Sequence, residues 1–315
     1  MLKNQMYRRN LMKWKLGILL LLILSATVMS QQTTRPAYPP TMSNAQVETY
    51  KTMGDVAMRV WIFVPEGHSA NDHRPAIVFF FGGGWRGGNP IQFKRHCEYL
   101  AARGMVAMVA DYRVDNRHGV TRCVEDAKSA VRWIRKHADR LGIDSNRIAA
   151  GGGSSGGHLA AATATLPMHD DSNDDLSISE RPNALVLFNP AVVLSPIPGE
   201  FELSDGHITN LKERMGVELE SISPYHNVKS GMPPTIIFHG TDDKTVPFKN
   251  FELFCEKMKA QGNYCELIGY DGADHGFFNY GRDDNAYFID TVNKMDAFLV
   301  SLGYLKGARN KVYSE

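Results

Sequence analysis

A short glycine-rich stretch in the middle of the chain restricts the fold more than any other feature. Residues 147–161 read RIAAGGGSSGGHLAA. An apolar run leads into three glycines, two serines and two more glycines, and a helix-forming segment follows. This order predicts a buried strand, a very sharp turn and a helix. A serine on such a turn projects away from the backbone, and the glycines beside it leave it sterically accessible.

Apolar runs and helical patterns alternate along the rest of the chain. Predicted strands cover residues 47–64 (an edge pair), 76–81, 105–110, 148–151, 184–188, 235–239 and 266–270. Predicted helices cover residues 91–103, 122–138, a segment from His158 onward, 248–259 and 286–302. Continuous apolar runs are typical of strands buried on both faces of a parallel sheet. The alternation therefore predicts an α/β fold, a doubly wound and mostly parallel sheet with helices on both faces.

The least regular region is 167–232. It predicts a small helical insertion after the sixth strand, which is 184–188 if the edge pair counts as two strands. A helix is expected around residues 207–219 of this region, and an insertion at this place could help to cover a site at the sheet edge.

The first thirty residues differ in charge from the rest of the chain. They contain five basic residues and no acidic residue, and the apolar run 16–29 follows the basic segment. This pattern predicts a signal peptide over residues 1–30, with an uncleaved membrane anchor as the alternative. Residues 31–45 predict a linker, residues 46–306 one domain and residues 307–315 a C-terminal tail. We therefore expect a secreted or periplasmic protein with no stable membrane association after signal removal.

Composition and cysteine spacing limit the classes of partner. The formal net charge is +1, and without residues 1–30 the chain has 30 basic against 34 acidic residues, which does not indicate a nucleic-acid partner. No cysteines have metal-ligand spacing, so we expect neither a metal site nor a cofactor. The four cysteines instead predict two disulfides between adjacent elements, Cys97–Cys123 and Cys255–Cys265, with four buried thiols as the alternative.

Two motifs fit a nucleophile and an oxyanion site. Both Ser154 and Ser155 satisfy G-x-S-x-G, and spacing alone leaves the choice between them open. The glycine run 82–84 follows a buried strand, so no side chain obstructs its backbone N–H groups. A tetrahedral intermediate of acyl transfer needs such donors about 2.7–3.1 Å from its oxygen. A plain glycine-rich turn and a flexible loop are the structural alternatives.

Two later motifs fit an acid and a base. Asp242 and Asp243 follow the strand 235–239, and either could orient a histidine. His275 follows the last predicted strand and is the best placed of the 11 histidines, whereas we interpret His158 and His239 as structural. The order serine, aspartate, histidine is that of α/β-hydrolases and differs from the orders in chymotrypsin-like and subtilisin-like enzymes.

The motifs together resemble the carboxylesterase/lipase-like branch of the α/β-hydrolase superfamily, which includes BD-FAE-like esterases and relatives of hormone-sensitive lipase. That branch carries H-G-G-G-W, then G-x-S-A-G-G-H-L-A, then H-G-x-x-D-x-x-V-P and a late H-G-F. This chain has GGGW, GGSSGGHLA, HGTDDKTVP and ADHGFF in the same order, and the resemblance covers residues 50–302. It implies the α/β-hydrolase fold.

The resemblance also implies a role for each candidate site residue. It implies a nucleophile, a base and an orienting acid, which are Ser154, His275 and Asp243. It implies an oxyanion hole built from three backbone N–H groups, those of Gly83, Gly84 and Ser155. Trp85 is a candidate for substrate contact.

Two residues depart from the family pattern. Phe81 stands where the family usually has a histidine that braces the glycine loop, and Ser155 stands at the usual alanine position. Because that histidine is not part of the triad, we expect activity to survive its replacement by Phe81.

These features predict an exported serine carboxylesterase that hydrolyses short acyl esters through an acyl-enzyme. Acetyl or feruloyl esters linked to carbohydrate are the expected substrates, so the partner is a small-molecule or polysaccharide-linked ester. A serine peptidase or amidase of the prolyl-oligopeptidase type is the alternative, because PPTIIFHGTDDKTVPF also resembles that family's catalytic domain. A non-catalytic binding protein on the same scaffold is a third hypothesis. Nothing in the sequence indicates an oligomeric state.

Overall fold

The computed structural model describes residues 38–114 and 119–307. The predicted signal peptide, most of the linker and residues 308–315 of the predicted tail lie outside the described residues. The chain divides into two units, residues 1–40 and 41–315, and all the strands and helices given below belong to the second.

An eight-stranded sheet forms the centre of this unit. Its strands are β1 (Gln46–Met53), β2 (Val56–Phe63), β3 (Arg74–Phe80), β4 (Val106–Ala110), β5 (Ile143–Gly153), β6 (Ala184–Phe188), β7 (Thr235–Gly240) and β8 (Cys265–Tyr270). Their order in the sheet is β1-β2-β4-β3-β5-β6-β7-β8. Strand β2 is antiparallel to β1 and β4, and the other neighbouring pairs are parallel. The predicted, mostly parallel sheet is confirmed.

Burial along the strands follows their sequence. Strands β4, β6 and β7 are short apolar runs and are buried along their whole length. The edge strand β1 mixes apolar and polar residues and is largely exposed or half-buried. Such fully buried strands require helices on both faces of the sheet.

Seven α-helices lie in the described part of the chain. They are α1 (Lys94–Ala102), α2 (Gly119–Lys136), α3 (Ser155–Thr165), α4 (Asp205–Met215), α5 (Leu219–Ile222), α6 (Lys249–Ala260) and α7 (Ala286–Ser301). The chain crosses from β3 to β4 in one direction along the sheet and from β4 to β5 in the other. Because parallel crossovers are right-handed, α1 and α2 lie on opposite faces. None of the helices in residues 38–114 and 119–307 is both long and apolar enough to cross a bilayer.

The opposite placement of α1 and α2 explains one wrong prediction. Cys97 on α1 and Cys123 on α2 are buried thiols and form no disulfide with each other. The Cys123 thiol instead donates to the carbonyl of Arg113 (3.0 Å). Helices adjacent in sequence are therefore separated by the sheet. The predicted Cys255–Cys265 disulfide is present and joins α6 to β8, with the two Cα atoms 5.5 Å apart.

The predicted helical insertion lies between β6 and β7. The single helix expected over 207–219 is divided into α4 and α5, because Gly216 adopts a left-handed φ of 73° and ends α4. The first and last residues of the insertion lie next to each other. There the Leu194 N–H donates to the Ser223 hydroxyl (3.1 Å), and the Tyr225 N–H donates to the Val192 carbonyl (2.9 Å).

Candidate active site

Ser154 occupies the turn between β5 and α3. Its backbone has φ 54° and ψ −120°, a conformation that residues other than glycine rarely adopt. Its N–H donates to the carbonyl of Phe188, which ties the turn to the end of β6 (2.9 Å). A Cβ on Gly156 would lie 2.0 Å from the Phe80 oxygen, and one on Gly152 would lie 2.4 Å from the Gly156 oxygen. The strand and the helix can meet in this turn because both positions are glycine.

His275 connects this serine to an aspartate. Its Nε2 lies 2.9 Å from the Ser154 Oγ, and its Nδ1 lies 2.6 Å from the Asp243 Oδ2. The three residues follow β5, β7 and β8, whose carboxyl ends share one edge of the sheet. Asp242, the alternative acid, is exposed and contacts Lys244. His275 bonds to Ser154, and the alternative Ser155 is buried beneath the turn.

The Asp243 carboxylate is buried and has four hydrogen-bond partners. Oδ1 accepts from the N–H groups of Thr245 (2.8 Å) and Val246 (2.9 Å), and Oδ2 lies 2.6 Å from His275 and 2.9 Å from the His239 Nε2. Burial opposes ionisation, but the hydrogen bonds from both histidines and the Val246 amide outweigh it and hold the pKa of Asp243 well below its usual range. An ionised Asp243 accepts a hydrogen bond from the His275 Nδ1–H and leaves Nε2 as an acceptor.

His239 is a partner of this carboxylate that the sequence interpretation treated only as structural. Its ring is buried and stacks on Phe251, with the ring centroids 3.6 Å apart. Burial lowers the pKa of His239, so a neutral ring donates from Nε2 towards Asp243 and towards the Val246 carbonyl (2.9 Å). Two histidine rings therefore contact the same oxygen of Asp243, Oδ2. The sequence signal was the four-residue spacing of His239 and Asp243 in HGTDD.

The glycine run 82–84 forms a tight loop beside the serine. Gly83 has φ 138°, and a Cβ there would lie 2.3 Å from the Gly87 oxygen, so only glycine fits. Gly84 lines the same cavity as Ser154 and Ser155. Two of the three predicted oxyanion residues, Gly84 and Ser155, thus lie with Ser154 in the wall of one cavity, and Gly83 precedes Gly84 in the same loop.

Phe81 supports the glycine loop by packing. Its ring is buried and stacks on Tyr112, with the centroids 4.5 Å apart. Its carbonyl accepts a hydrogen bond from the Tyr112 hydroxyl (2.7 Å). An aromatic pair therefore occupies the position where the family usually has a bracing histidine.

A chain of amide hydrogen bonds joins the glycine loop to the loop that carries His275. The Gln92 Oε1 accepts from the Gly82 N–H (2.7 Å), and the Gln92 Nε2 donates to the Asn279 Oδ1 (2.9 Å). The Asn279 Nδ2 donates in turn to the Gly276 carbonyl (2.7 Å). We call Gln92 and Asn279 the amide bridge. The sequence analysis missed it because the two residues are 187 positions apart and neither lies in a motif.

A cavity of 460 Å³ opens beside Ser154. Its walls include Trp85 from the glycine loop, and Leu211 and Arg214 from α4. The Trp85 indole N–H donates to the buried His158 Nδ1 (3.2 Å), which fixes the ring in the cavity wall. The helical insertion thus covers one side of the cavity. No cluster of His, Cys, Asp or Glu suited to a metal ion occurs in residues 38–114 and 119–307.

Esterase 2 from the planctomycete Thermogutta terrifontis has a similar structure. Its native structure is 49% identical to this chain, with a TM-score of 0.83 and coverage of 88% of this chain and 99% of that one. The propionate-bound and butyrate-bound structures are 50% identical, with TM-scores of 0.81 and 0.82 and coverage of 86% and 87% of this chain and 100% of theirs. A structure phosphorylated by paraoxon is 49% identical, with a TM-score of 0.79 and coverage of 87% of this chain and 100% of that one.

Several curated relatives are named esterases. Esterase LipC of Mycobacterium tuberculosis is 32% identical over 223 residues, which are 64% of this chain and 53% of LipC. An acetylxylan esterase of Xylanibacter ruminicola is 28% identical over 223 residues, which are 68% of this chain and 42% of that protein. The chain spans about half the length of the first curated relatives that it matches.

Two family patterns match the sequence. The dienelactone hydrolase family matches residues 217–306, and the BD-FAE family matches residues 61–258, which is more than half of the chain. The second match includes the glycine loop, the serine turn and Asp243. With this sheet and these solved relatives, it shows that the chain belongs to the BD-FAE family of α/β-hydrolase carboxylesterases.

Proposed function

We propose that this chain is a serine carboxylesterase in which Ser154 is the nucleophile, His275 the general base and Asp243 the orienting acid. The observation that carries the proposal is the continuous hydrogen-bonded series from the Ser154 Oγ through His275 to Asp243, with distances of 2.9 and 2.6 Å. This series borders a cavity large enough for a small ester. The esterases among the relatives support the same reaction class.

Acylation starts at the serine hydroxyl. As the Ser154 Oγ attacks the ester carbonyl carbon, its proton moves to the His275 Nε2. Asp243 stays ionised and stabilises the imidazolium through Nδ1–H. His275 then gives the proton to the leaving alkoxide as the carbon–oxygen bond breaks, which releases the alcohol and leaves the acyl group on Ser154. His275 then deprotonates a water molecule, which attacks the acyl-enzyme. His275 returns this proton to the Ser154 Oγ as the acyl–oxygen bond breaks, which releases the carboxylic acid and restores the serine.

The negative charge of the tetrahedral intermediate needs donors that are fixed beforehand. The Ser155 N–H belongs to the first turn of α3, where backbone N–H groups have no partner within the helix. The positive end of the α3 dipole points to the same place. We assign the other two donors to the N–H groups of Gly83 and Gly84. Loss of one such donor typically costs about 10²–10³ in rate.

The proposed substrates are esters with short acyl groups. The related esterase 2 was solved with propionate and with butyrate, and another relative is named an acetylxylan esterase. The cavity of 460 Å³ fits acyl groups of this size and also one aromatic acyl ring. Acetyl or feruloyl esters linked to carbohydrate are the proposed natural class.

Substitution of the serine tests the proposal. We expect Ser154→Ala to lose p-nitrophenyl acetate hydrolysis and covalent labelling by paraoxon, with an unchanged melting temperature. Ser155→Ala is the matched control and should keep both, because only its backbone N–H is used. Full activity in Ser154→Ala would refute the assignment, and loss confined to Ser155→Ala would move the nucleophile by one residue. Peptide substrates in the same panel should not be cleaved.

We also propose that the protein is exported by its first thirty residues. The Cys255–Cys265 disulfide supports this proposal, because disulfides persist mainly in oxidising compartments. In a bacterial host, the full chain should appear in the periplasm or medium, and a variant without residues 2–30 should stay in the cytoplasm. Equal distribution of the two forms would contradict the proposal.

A further inference from the structure

The wall of the cavity beside Ser154 includes a half-buried positive charge, the guanidinium of Arg214. Arg214 projects from α4 into the cavity wall and is only half-exposed. One of its Nη2–H groups donates to the Gly84 carbonyl (2.9 Å), and its guanidinium lies 5.4 Å from the centre of the Trp85 ring. These contacts fix the guanidinium close to the proposed oxyanion loop.

No carboxylate in the described part of the chain forms an ion pair with this arginine. Burial lowers the pKa of Arg214, and repulsion by a second cation, Arg86, lowers it further. An arginine nevertheless stays charged at neutral pH, because the pKa of a guanidinium group lies far above neutral pH. A half-buried cation without a counter-ion is unfavourable in the free protein and favours an anionic ligand.

The other charged residues that line the cavity are not half-buried cations without a counter-ion. Glu202, Lys244 and His207 are all exposed at the rim. One carboxylate oxygen of Glu202 accepts from the Gly199 N–H (2.9 Å), and Lys244 lies 3.9 Å from Asp242. Arg214 is therefore the half-buried charged group of the cavity wall. Its remaining N–H groups can bind a carboxylate through bidentate hydrogen bonds.

We propose that the substrates of this enzyme carry a carboxylate, on the acyl or the alcohol side of the ester, which binds Arg214. This inference rests on the proposed esterase function and specifies its substrate class. The carboxylate would lie in the cavity while the ester carbonyl lies at Ser154. Uronic acids that carry an acyl group on a hydroxyl, and so keep a free carboxylate, and half-esters of dicarboxylic acids have this chemistry.

Two matched pairs of esters distinguish the two sides. Mono-4-nitrophenyl succinate against 4-nitrophenyl butyrate places the charge on the acyl group. 4-Acetoxybenzoate against its methyl ester places the charge on the leaving group. In each pair kcat/KM is measured, after subtraction of uncatalysed hydrolysis, for wild type, Arg214→Met, Arg214→Lys and the rim control Lys244→Met.

We expect the ratio of anionic to neutral kcat/KM to fall about tenfold in Arg214→Met for one pair, to recover partly in Arg214→Lys, and to change less than twofold in Lys244→Met. The ratio corrects for any general effect of Arg214 on the Gly84 loop. A ratio that Arg214→Met leaves within twofold in both pairs overturns the proposal. So does a wild-type enzyme that disfavours the anionic ester in both pairs. Failure of wild type on every ester of both pairs, anionic and neutral, would instead refute the esterase function itself.

Discussion

The amide bridge of Gln92 and Asn279 joins two loops of the proposed active site, the glycine loop and the loop that carries His275. Substitution of either residue tests whether this connection supports catalysis. Gln92→Met keeps the length of the side chain but removes the acceptor for the Gly82 N–H and the donor to Asn279. The glycine loop and the His275 loop then lose their shared support. We expect a lower kcat with little change in KM, because the ester cavity is untouched while the oxyanion donors and the base lose their fixed spacing.

The size of the effect follows from the two hydrogen bonds removed. Each is worth about 0.5–1.5 kcal/mol net, and all three partners are half-buried, so the lower part of that range applies. A loss of about 1–2 kcal/mol, felt wholly in the transition state, corresponds to about a 5- to 30-fold fall in kcat/KM. Asn279→Leu should give a similar fall, and the double variant should fall by less than the product of the two.

The assay is steady-state hydrolysis of 4-nitrophenyl butyrate with thermal unfolding measured alongside. Gln261→Met, an exposed substitution at the end of α6, is the matched control. The reasoning is refuted if Gln92→Met keeps kcat/KM within twofold of wild type, or if the effects of Gln92→Met and Asn279→Leu are fully additive. A lower melting temperature without a change in kcat would assign the bridge to stability alone.

Three further predictions concern buried groups. Both ring nitrogens of His96 lack a hydrogen-bond partner among the described residues, and burial lowers the pKa of His96 to about 3. Between pH 6.5 and pH 3 the ring is therefore neutral in the folded protein and takes up a proton on unfolding. The free energy of unfolding falls as pH falls through this range. The stability gain of His96→Leu over wild type should therefore be about 2 kcal/mol larger at pH 5 than at pH 7 in urea titrations, and an equal gain at both would contradict this. Cys255→Ser with Cys265→Ser opens a loop of ten residues' separation and should cost about 3 kcal/mol of unfolding free energy, whereas an unchanged urea midpoint would rule this out. Asp243→Asn should lower kcat about 10³- to 10⁴-fold with the fold retained, because an amide can hold His275 in the wrong tautomer; a loss below tenfold in single-turnover assays would argue against the orienting role.

The sheet could be predicted because most of its strands are continuous apolar runs that alternate with helical patterns. Strands β4, β6 and β7 match the predicted segments closely, and the glycine run after β5 marks the turn at Ser154. The Ser154, His275 and Asp243 arrangement could also be predicted, because each residue follows a parallel strand and the strand ends share one edge. Local sequence is sufficient for features of this kind.

Local sequence could not predict the features that depend on which face of the sheet a helix packs against, or on contacts between residues far apart in the chain. The Cys97–Cys123 prediction failed because sequence order does not show on which face a helix lies. The bridge between Gln92 and Asn279 joins two loops that no local pattern relates. In the sequence, Arg214 is one of several charged residues in a predicted helix. Its proposed role follows only from the packing of α4 against the cavity.

The attachment of the helical insertion has a consequence for how this protein could change its substrates. Residues 195–222 leave and rejoin the domain beside the Leu194–Ser223 and Val192–Tyr225 hydrogen bonds. The segment supplies Arg214 and the cover of the cavity, whereas the serine, the histidine and the aspartate all lie outside it. It is therefore an exchangeable module: a segment of different length or charge, grafted between the same two anchor pairs, could redirect specificity while the chemistry stays in place.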